Sequence, residues 1–306
     1  MRIKLIVNPA SGGETAVDHL PAINARLRTA GDVDIVLTTG DGDAEEAGRR
    51  AALDGYEHLF IAGGDGTLNE VLNGVAQVDG ALGRIAIGVV PLGTGNDFAT
   101  ALGIPDTPEA AVDALLAGRV AAVDVGRVND RCFLNVSAGG FIADVSDAVG
   151  PQLKTVLGKL AYLVGGAQVL LDYEPLAVRV SQASGKGVSE MQLLAFAVCN
   201  SRLIGGGRLI APSAVVDDGW LDVCLIHAMP TLDFVALLRR VSSGEHVEDD
   251  RVAYFRTQAM ELAFERDVRL NTDGQVMEAR RCRYEVMPGA ARVRIPGAAR
   301  EPGAER

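Results

Sequence analysis

Several things are missing from this chain of 306 residues, and each absence removes a class of protein. No uncharged apolar run reaches about 18 residues, so a membrane-spanning helix is not expected. Positive charge is in deficit: 29 Lys and Arg against 40 Asp and Glu give a net charge of −11. That balance argues against non-specific nucleic-acid binding and against adhesion to anionic membranes through a basic patch. There are only four cysteines, Cys132, Cys199, Cys224 and Cys282, with no C-x-x-C spacing. They lie in or beside apolar strand-like runs and read as buried, reduced thiols rather than a disulfide framework or a zinc site. Met1 to Val7 enters an apolar strand with no leader pattern, so the expected localisation is cytoplasmic. The P-loop pattern G-x-x-x-x-G-K-[ST] is absent, as are internal repeats and low-complexity segments.

What is present is organised around Phe60–Asn69, Phe-Ile-Ala-Gly-Gly-Asp-Gly-Thr-Leu-Asn. The run from Leu59 to Ala62 reads as a buried parallel strand entering a glycine turn. Thr67 is expected to cap the helix that follows, with Leu68, Val71, Leu72 and Val75 on its apolar side. A strand, a glycine turn and a helix N-terminus bring backbone N–H groups and a positive dipole end to one point, which suits phosphate. The acid within that turn, Asp65, would repel a phosphate unless it binds a metal or takes a proton. It therefore points to phosphate chemistry rather than simple anion binding.

The same unit recurs on both sides. Ile3–Val7 leads into Asn8-Pro9-Ala10-Ser11-Gly12-Gly13, and residues Glu14 to Ala30 read as a helix. Val33–Leu37 is a strand ending at Thr38-Thr39, and Asp43–Leu53 is an Ala-rich helix. Ile85–Val90 runs into Pro91-Leu92-Gly93-Thr94-Gly95-Asn96-Asp97-Phe98, a third glycine-rich turn. This alternation predicts an α/β N-terminal domain with a doubly wound parallel sheet, whose ligands bind beyond the carboxyl ends of the strands. Asp97 has two open roles, metal ligand or cap of the next helix. From Val123 the pattern changes to apolar runs at Val123–Val128, Cys132–Ser137, Leu176–Ser181, Met191–Asn200, Leu221–Ile226, Met260–Phe264 and Cys282–Val286. Turn residues separate them, so the second domain is expected to be mostly antiparallel, a β-sandwich. Leu153–Leu171 reads as an amphipathic helix, for which packing on the second sheet is favoured over membrane contact. Residues 297–306 read as a polar tail.

In order, Asn8-Pro-Ala-Ser-Gly, Gly63-Gly-Asp-Gly-Thr-Leu-Asn-Glu70, Pro91-Leu-Gly-Thr-Gly-Asn-Asp-Phe98, Val123-Asp124-Val-Gly126, Asn135-Val-Ser-Ala-Gly-Gly140, Asp217-Asp-Gly219, Ser243-Gly-Glu-His246 and Asn271-Thr-Asp-Gly274 form a recognisable series. With it the chain resembles the soluble bacterial diacylglycerol kinase-like lipid kinases, relatives of sphingosine kinase catalytic domains. The resemblance implies a nucleotide-binding kinase domain over 1–122, a lipid-binding β-sandwich over 123–291, a strand near 292–296 returning to the first domain, and an active site between the domains. It implies ATP contacts at Asn8, Pro9, Ala10, Ser11, Gly12, Thr39 (or Thr38), Gly64, Asp65, Gly66, Thr67, Leu68, Asn69, Glu70 and Thr94. Asp65 and Asp124 are the acids expected to hold a catalytic Mg²⁺, since Mg²⁺ takes few carboxylates plus phosphate oxygens. A second, structural Mg²⁺ or similar cation is implied at Val215, Asp218 and Trp220, against the plainer reading of an Asp-Gly hairpin turn. Expected partners are ATP, a lipid acceptor and a transient peripheral membrane contact, with no nucleic acid; a homodimer stays open.

One departure stands out. Relatives usually read Asp-Gly-Glu where this chain has Asp273-Gly274-Gln275, and that Glu is their proposed proton acceptor. A Gln amide cannot take a proton from a lipid hydroxyl at neutral pH, although it can orient one. The openings left are a slow enzyme, Asp65 as base, Glu278 reaching in from three residues downstream, or loss of catalysis. The competing functions are accordingly an NAD kinase, which shares G-G-D-G-T, and a nucleotide-binding regulatory protein.

Overall fold

The computed structural model describes residues 1–12, 16–141, 143, 174–182 and 188–297. The chain divides into two compact units, one of Met1–Val123 together with the chain from Gly289, the other of Asp124–Pro288.

In the first unit the strands are β1 (Arg2–Val7), β2 (Asp32–Leu37), β3 (His58–Gly63) and β4 (Ala86–Pro91). The helices are α1 (Ala16–Arg28), α2 (Asp43–Leu53), α3 (Asp65–Ala76), α4 (Asp97–Ala101) and α5 (Pro108–Ala117). All strand pairs are parallel, in the order β4-β3-β1-β2. From β1 the chain moves to one side, and from β2 it crosses back to β3 and on to β4. Right-handed crossovers then put α1 on one face and α2 and α3 on the other. The pairing agrees. His19 of α1 meets Glu109 of α5 at 2.8 Å, while α2 and α3 press together through glycines. A Cβ on Gly74 would lie 1.8 Å from the Glu45 carbonyl oxygen, so only glycine fits there. The expected helix from Glu14 begins within the described residues at Ala16 and ends at Arg28. Helix α5, rich in Ala, Leu and Val behind Pro108, was not anticipated.

The topology fixes where a ligand site can form. The chain reverses direction across the sheet between β1 and β3, and the loops after these two strands diverge to opposite faces. A crevice at the carboxyl edge results.

The second unit is a β-sandwich of antiparallel strands. Its members are the end of β5 (Arg119–Val128), β6 (Arg131–Phe133), β7 (Val136–Gly140), β8 (Leu176–Gln182) and β9 (Val188–Cys199), followed by the short pair β10 (Leu203–Ile204) and β11 (Arg208–Leu209). Then come β12 (Leu221–His227), β13 (Val252–Thr257), β14 (Ala259–Thr272) and β15 (Gln275–Ile295). β8 and β7 share one slot between β9 and β14. β8 pairs with Leu193 and the residues before it and with Met260–Phe264, and β7 pairs with the far halves of the same two strands. One buried cluster joins Phe133, Phe196, Leu225, Leu262, Cys282 and Tyr284; a second joins Phe141, Cys199, Cys224, Ile226, Phe234 and Leu237. All four cysteines are buried.

Every apolar run expected to be a strand is one, with Cys132–Ser137 split by a turn at Leu134-Asn135. Strand β13 and helix α6 (Thr231–Arg240) were not anticipated. The helix expected at Leu153–Leu171, the turn at 184–187 and the tail after 297 lie outside the described residues. β15 belongs to both units: Gln275 to Glu285 pair with β14, and Arg292 and Val293 pair in parallel with Ala86 and Ile87 of β4.

Candidate active site

Three loops meet at the carboxyl edge of the first unit. Asn8 closes β1 with its own side chain: Oδ1 accepts the Ala10 N–H at 3.0 Å, and Nδ2 donates to Thr67 Oγ1 at 3.0 Å. The Asn8 backbone N–H donates to Ala62 O, so the first loop is stitched to the end of β3. The second and third loops touch through glycine. A Cβ on Gly93 would come within 2.5 Å of Gly64 Cα, and Leu92 N donates to Gly63 O at 3.0 Å. Only a backbone without side chains lets two phosphate-type loops lie this close.

The expected capping role of Thr67 is corrected. α3 starts at Asp65 behind Gly64, which serves as the N-cap without a side-chain bond. Thr67 lies inside the first turn because Gly63 leaves room for its side chain, and its hydroxyl takes the Asn8 amide. The two roles held open for Asp97 are also redistributed. Asp97 is the first residue of α4, and Asn96, at φ 51°, precedes it as the N-cap. The side chain that meets the opening amides of α4 is Asp65, whose Oδ2 accepts Asp97 N–H at 3.0 Å and Oδ1 accepts Phe98 N–H at 3.1 Å. Capping of α4 therefore comes from the neighbouring loop, with both Asp65 carboxylate oxygens accepting backbone N–H groups.

The remaining nucleotide candidates fall around this point with unequal exposure. Ala10, Gly12 and Thr94 are exposed, Ser11, Gly64, Gly66 and Glu70 half-buried, and Leu68 and Asn69 buried. Asn69 is held from within α3 by Asn73, whose amide donates to its carbonyl and side chain. Of the two threonines after β2, Thr38 is buried and Thr39 exposed. Thr39 N–H and Oγ1 both donate to Asp43 Oδ2, at 2.8 and 2.6 Å, and that hydroxyl bond leads the effects that hold the Asp43 carboxyl below its usual range.

The second unit holds the other candidates. Asp124 is buried, and its Oδ2 accepts Gly219 N–H at 2.6 Å while its own N–H donates to Val216 O at 2.7 Å. The 215–220 turn is thus built onto Asp124. Within it, Asp218 accepts Trp220 N–H at 3.0 Å and pairs with the Arg256 guanidinium. A positive charge therefore sits on the carboxylate assigned to a structural cation. Among the described residues no group of three or more His, Cys, Asp or Glu is arranged to hold a metal.

Gln275 opens β15, opposite Thr272 across the hairpin. Side chains alternate along a strand, so Gln275 shares its face with half-buried Met277, while Glu278 points the other way, exposed and paired with Arg269 at 3.5 Å. Odd spacing puts Glu278 on the wrong face to stand in for Gln275, and that opening closes. Asp273 had no assigned role. Its buried carboxylate accepts N–H bonds from Leu134 (2.6 Å), Asn135 (3.1 Å) and Val136 (2.8 Å), which sets the position of the Asp-Gly turn.

Residues 2–128 match the diacylglycerol kinase catalytic domain, and residues 135–295 match the YegS C-terminal NAD kinase beta sandwich-like domain. A diacylglycerol kinase of Bacillus subtilis (strain 168) is 34% identical over 277 residues, covering 90% of this chain and 89% of the relative. One from Staphylococcus carnosus (strain TM300) is 34% identical over 275 residues, 90% and 88% of the two chains. Among solved structures, a diacylglycerol kinase of Bacillus anthracis str. Sterne superposes with a TM-score of 0.79 at 25% identity, covering 97% of this chain and 98% of that one. These matches place a diacylglycerol kinase-like catalytic domain on the α/β unit and support a kinase. The chain belongs to the diacylglycerol kinase family.

Proposed function

We propose that the protein is an ATP-dependent lipid kinase that transfers the γ-phosphoryl group to a hydroxyl of a diacylglycerol-like lipid. The observation that carries this reading is the Asp65 carboxylate, anchored by two backbone amides at the junction of the glycine loops. Asn8 to Gly12, Gly64 to Glu70 and Thr94 would line the triphosphate, and Thr39 would border it. Backbone amides and small hydroxyls suit phosphate oxygens.

Carboxylate oxygens are the donors a hard cation takes, so Asp65 and Asp124 fit a share in holding Mg²⁺. Mg²⁺ would neutralise charge on the phosphates during transfer. A second cation at Val215, Asp218 and Trp220 would first have to displace Arg256. Elemental analysis of the purified protein, with melting in the presence and absence of chelator, tests it; a metal-free protein with an unchanged melt rules it out.

With Gln275 in place of a carboxylate, that position cannot deprotonate the acceptor hydroxyl. General-base assistance is typically worth about 10²–10⁴-fold, while positioning and electrostatics carry most of phosphoryl transfer. We therefore read the enzyme as slow rather than inactive. The test is radiolabelled ATP against diacylglycerol and other lipids, NAD and sugars. Label on a lipid is expected. Label on NAD alone supports the NAD kinase reading, and nucleotide binding with no labelled product supports a regulatory protein.

A further inference from the structure

Asp124 and the Asp273-Gly274-Gln275 turn are 149 residues apart or more in sequence, yet a continuous run of hydrogen bonds joins them within the second unit. The joint is Asn200, just past the end of β9 and fully buried. Both hydrogens of its side-chain amide are used: Nδ2 donates to Asp124 O at 3.0 Å and to Leu134 O at 3.0 Å. Its backbone N–H donates to Asn135 O at 2.8 Å, and the next residue, Ser201, donates to the same oxygen at 3.1 Å. Asp273 grips this stretch from the other side through the N–H groups of Leu134, Asn135 and Val136. The peptide units on either side of Asn135 are therefore each held twice, the N–H by Asp273 and the carbonyl by Asn200.

The side-chain carbonyl of Asn200 has no hydrogen-bond partner among the described residues. A buried amide with one end unsatisfied is costly. The end that is satisfied is the one that ties the Asp124 backbone to the Leu134–Val136 stretch, so the donor end accounts for an asparagine here.

We propose that Asn200 is a positioning residue, fixing Asp124 relative to the turn that presents Gln275. This rests on the reading of Asp124 as an acid of the metal–phosphate shell. Groups that orient a metal-holding carboxylate typically change metal affinity or activity about 10–100-fold when removed.

The experiment compares Asn200→Ala and Asn200→Asp with the parent protein. Three readouts are needed: amide hydrogen exchange at Leu134–Val136, Mn²⁺ affinity by electron paramagnetic resonance with a non-hydrolysable ATP analogue, and rate on the best lipid acceptor. The expected result is faster exchange at all three amides, and Mn²⁺ affinity and rate lowered about 10–100-fold in both variants. Asn200→Asp should also recover rate as pH falls, because a protonated carboxyl can donate one of the two lost bonds; Asn200→Ala should not recover. Unchanged exchange together with Mn²⁺ affinity within twofold of the parent overturns the proposal. Should Asn200→Ala fail to fold, Asp273→Asn loosens the same stretch from its other side, and normal Mn²⁺ affinity there overturns it equally. Asp124→Asn separates the two readings. Full rate in that variant removes the assignment of Asp124, whereas loss of rate there with normal Asn200 variants removes only the positioning role.

Discussion

At the scale of the residue, Asp65 does two jobs that ordinarily fall to different side chains. It caps α4 from outside that helix, and it is the acid placed among the phosphate-type loops. Asp65→Asn should therefore show two separable effects. One of the two backbone amides loses its charged acceptor, a cap-sized loss of about 0.5–2 kcal/mol, read as a small drop in the melting temperature. Turnover should fall by orders of magnitude, because the charge proposed for the metal–phosphate shell is gone. A variant that melts lower but turns over normally would leave Asp65 as a cap alone. Gln275 gives the complementary test. Gln275→Glu should raise turnover on the true lipid more than it alters apparent ATP affinity, and should steepen the rise of rate with pH through the carboxylate range. If the rate does not rise, this position is not where the proton is taken. The glycine loops and Asp65 could be read from sequence because their chemistry is local. The partners of Asp273 and Asn200 could not, since their bonds join residues 139 and 76 positions apart.

Elements were legible where periodicity is strong and local. The parallel strands β3 and β4 are apolar runs ending at Gly63 and Pro91, the run within β1 goes from Ile3 to Val7 before Asn8-Pro9, and their helices carry one apolar face. β13 escaped notice because Val252–Thr257 alternates only loosely, with its middle residues half-buried at an outer position of the sheet. α6 does carry one apolar face, with Phe234 and Leu237 buried, but it stands as a single helix amid runs of strands. The hairpin of β14 and β15 depends on one contact that no periodicity reveals, the seat of Asp273 on three amides. Asp273→Ala should leave those buried N–H groups without an acceptor. The cost is expected at about 3 kcal/mol or more, read by urea unfolding. A loss under about 1 kcal/mol would mean the turn holds itself.

At the scale of the whole molecule, each unit contains one histidine whose pKa is lowered by its surroundings. His58 Nδ1 lies 3.2 Å from Arg294 Nη2, and since guanidinium only donates, that nitrogen must be an acceptor. Burial, then the Arg294 charge, depresses the His58 pKa below its usual value. His246, fully buried against Ile210 O, is likewise depressed by burial. In the unfolded chain both take a proton near pH 6.5. The unfolded state thus binds more protons below that point, and stability should be full above about pH 7 and decline as pH falls through 6.5 toward the lower folded values. Urea unfolding between pH 5 and 8 checks this, and His58→Gln should flatten part of the slope; a flat profile in the parent protein would contradict it. Membrane association should be weak and peripheral, given the net charge of −11 and the absence, among the described residues, of any helix long and apolar enough to span a bilayer. Sedimentation with anionic vesicles at low and high salt tests this, and tight, salt-sensitive binding would contradict it.

The shared strand β15 has a consequence in time. Synthesis runs from the amino end, and domains usually fold as they leave the ribosome. Here the first unit has its four parallel strands early, but the partner of β4 arrives only with Arg292 and Val293, after the whole second unit has been made. Every residue of β4 is buried in the finished protein. Throughout translation of the second unit, that strand presents a bare, apolar edge of the kind other strands add to. The nascent chain thus carries its first unit unfinished for most of its synthesis, and its last strand is what retires that edge.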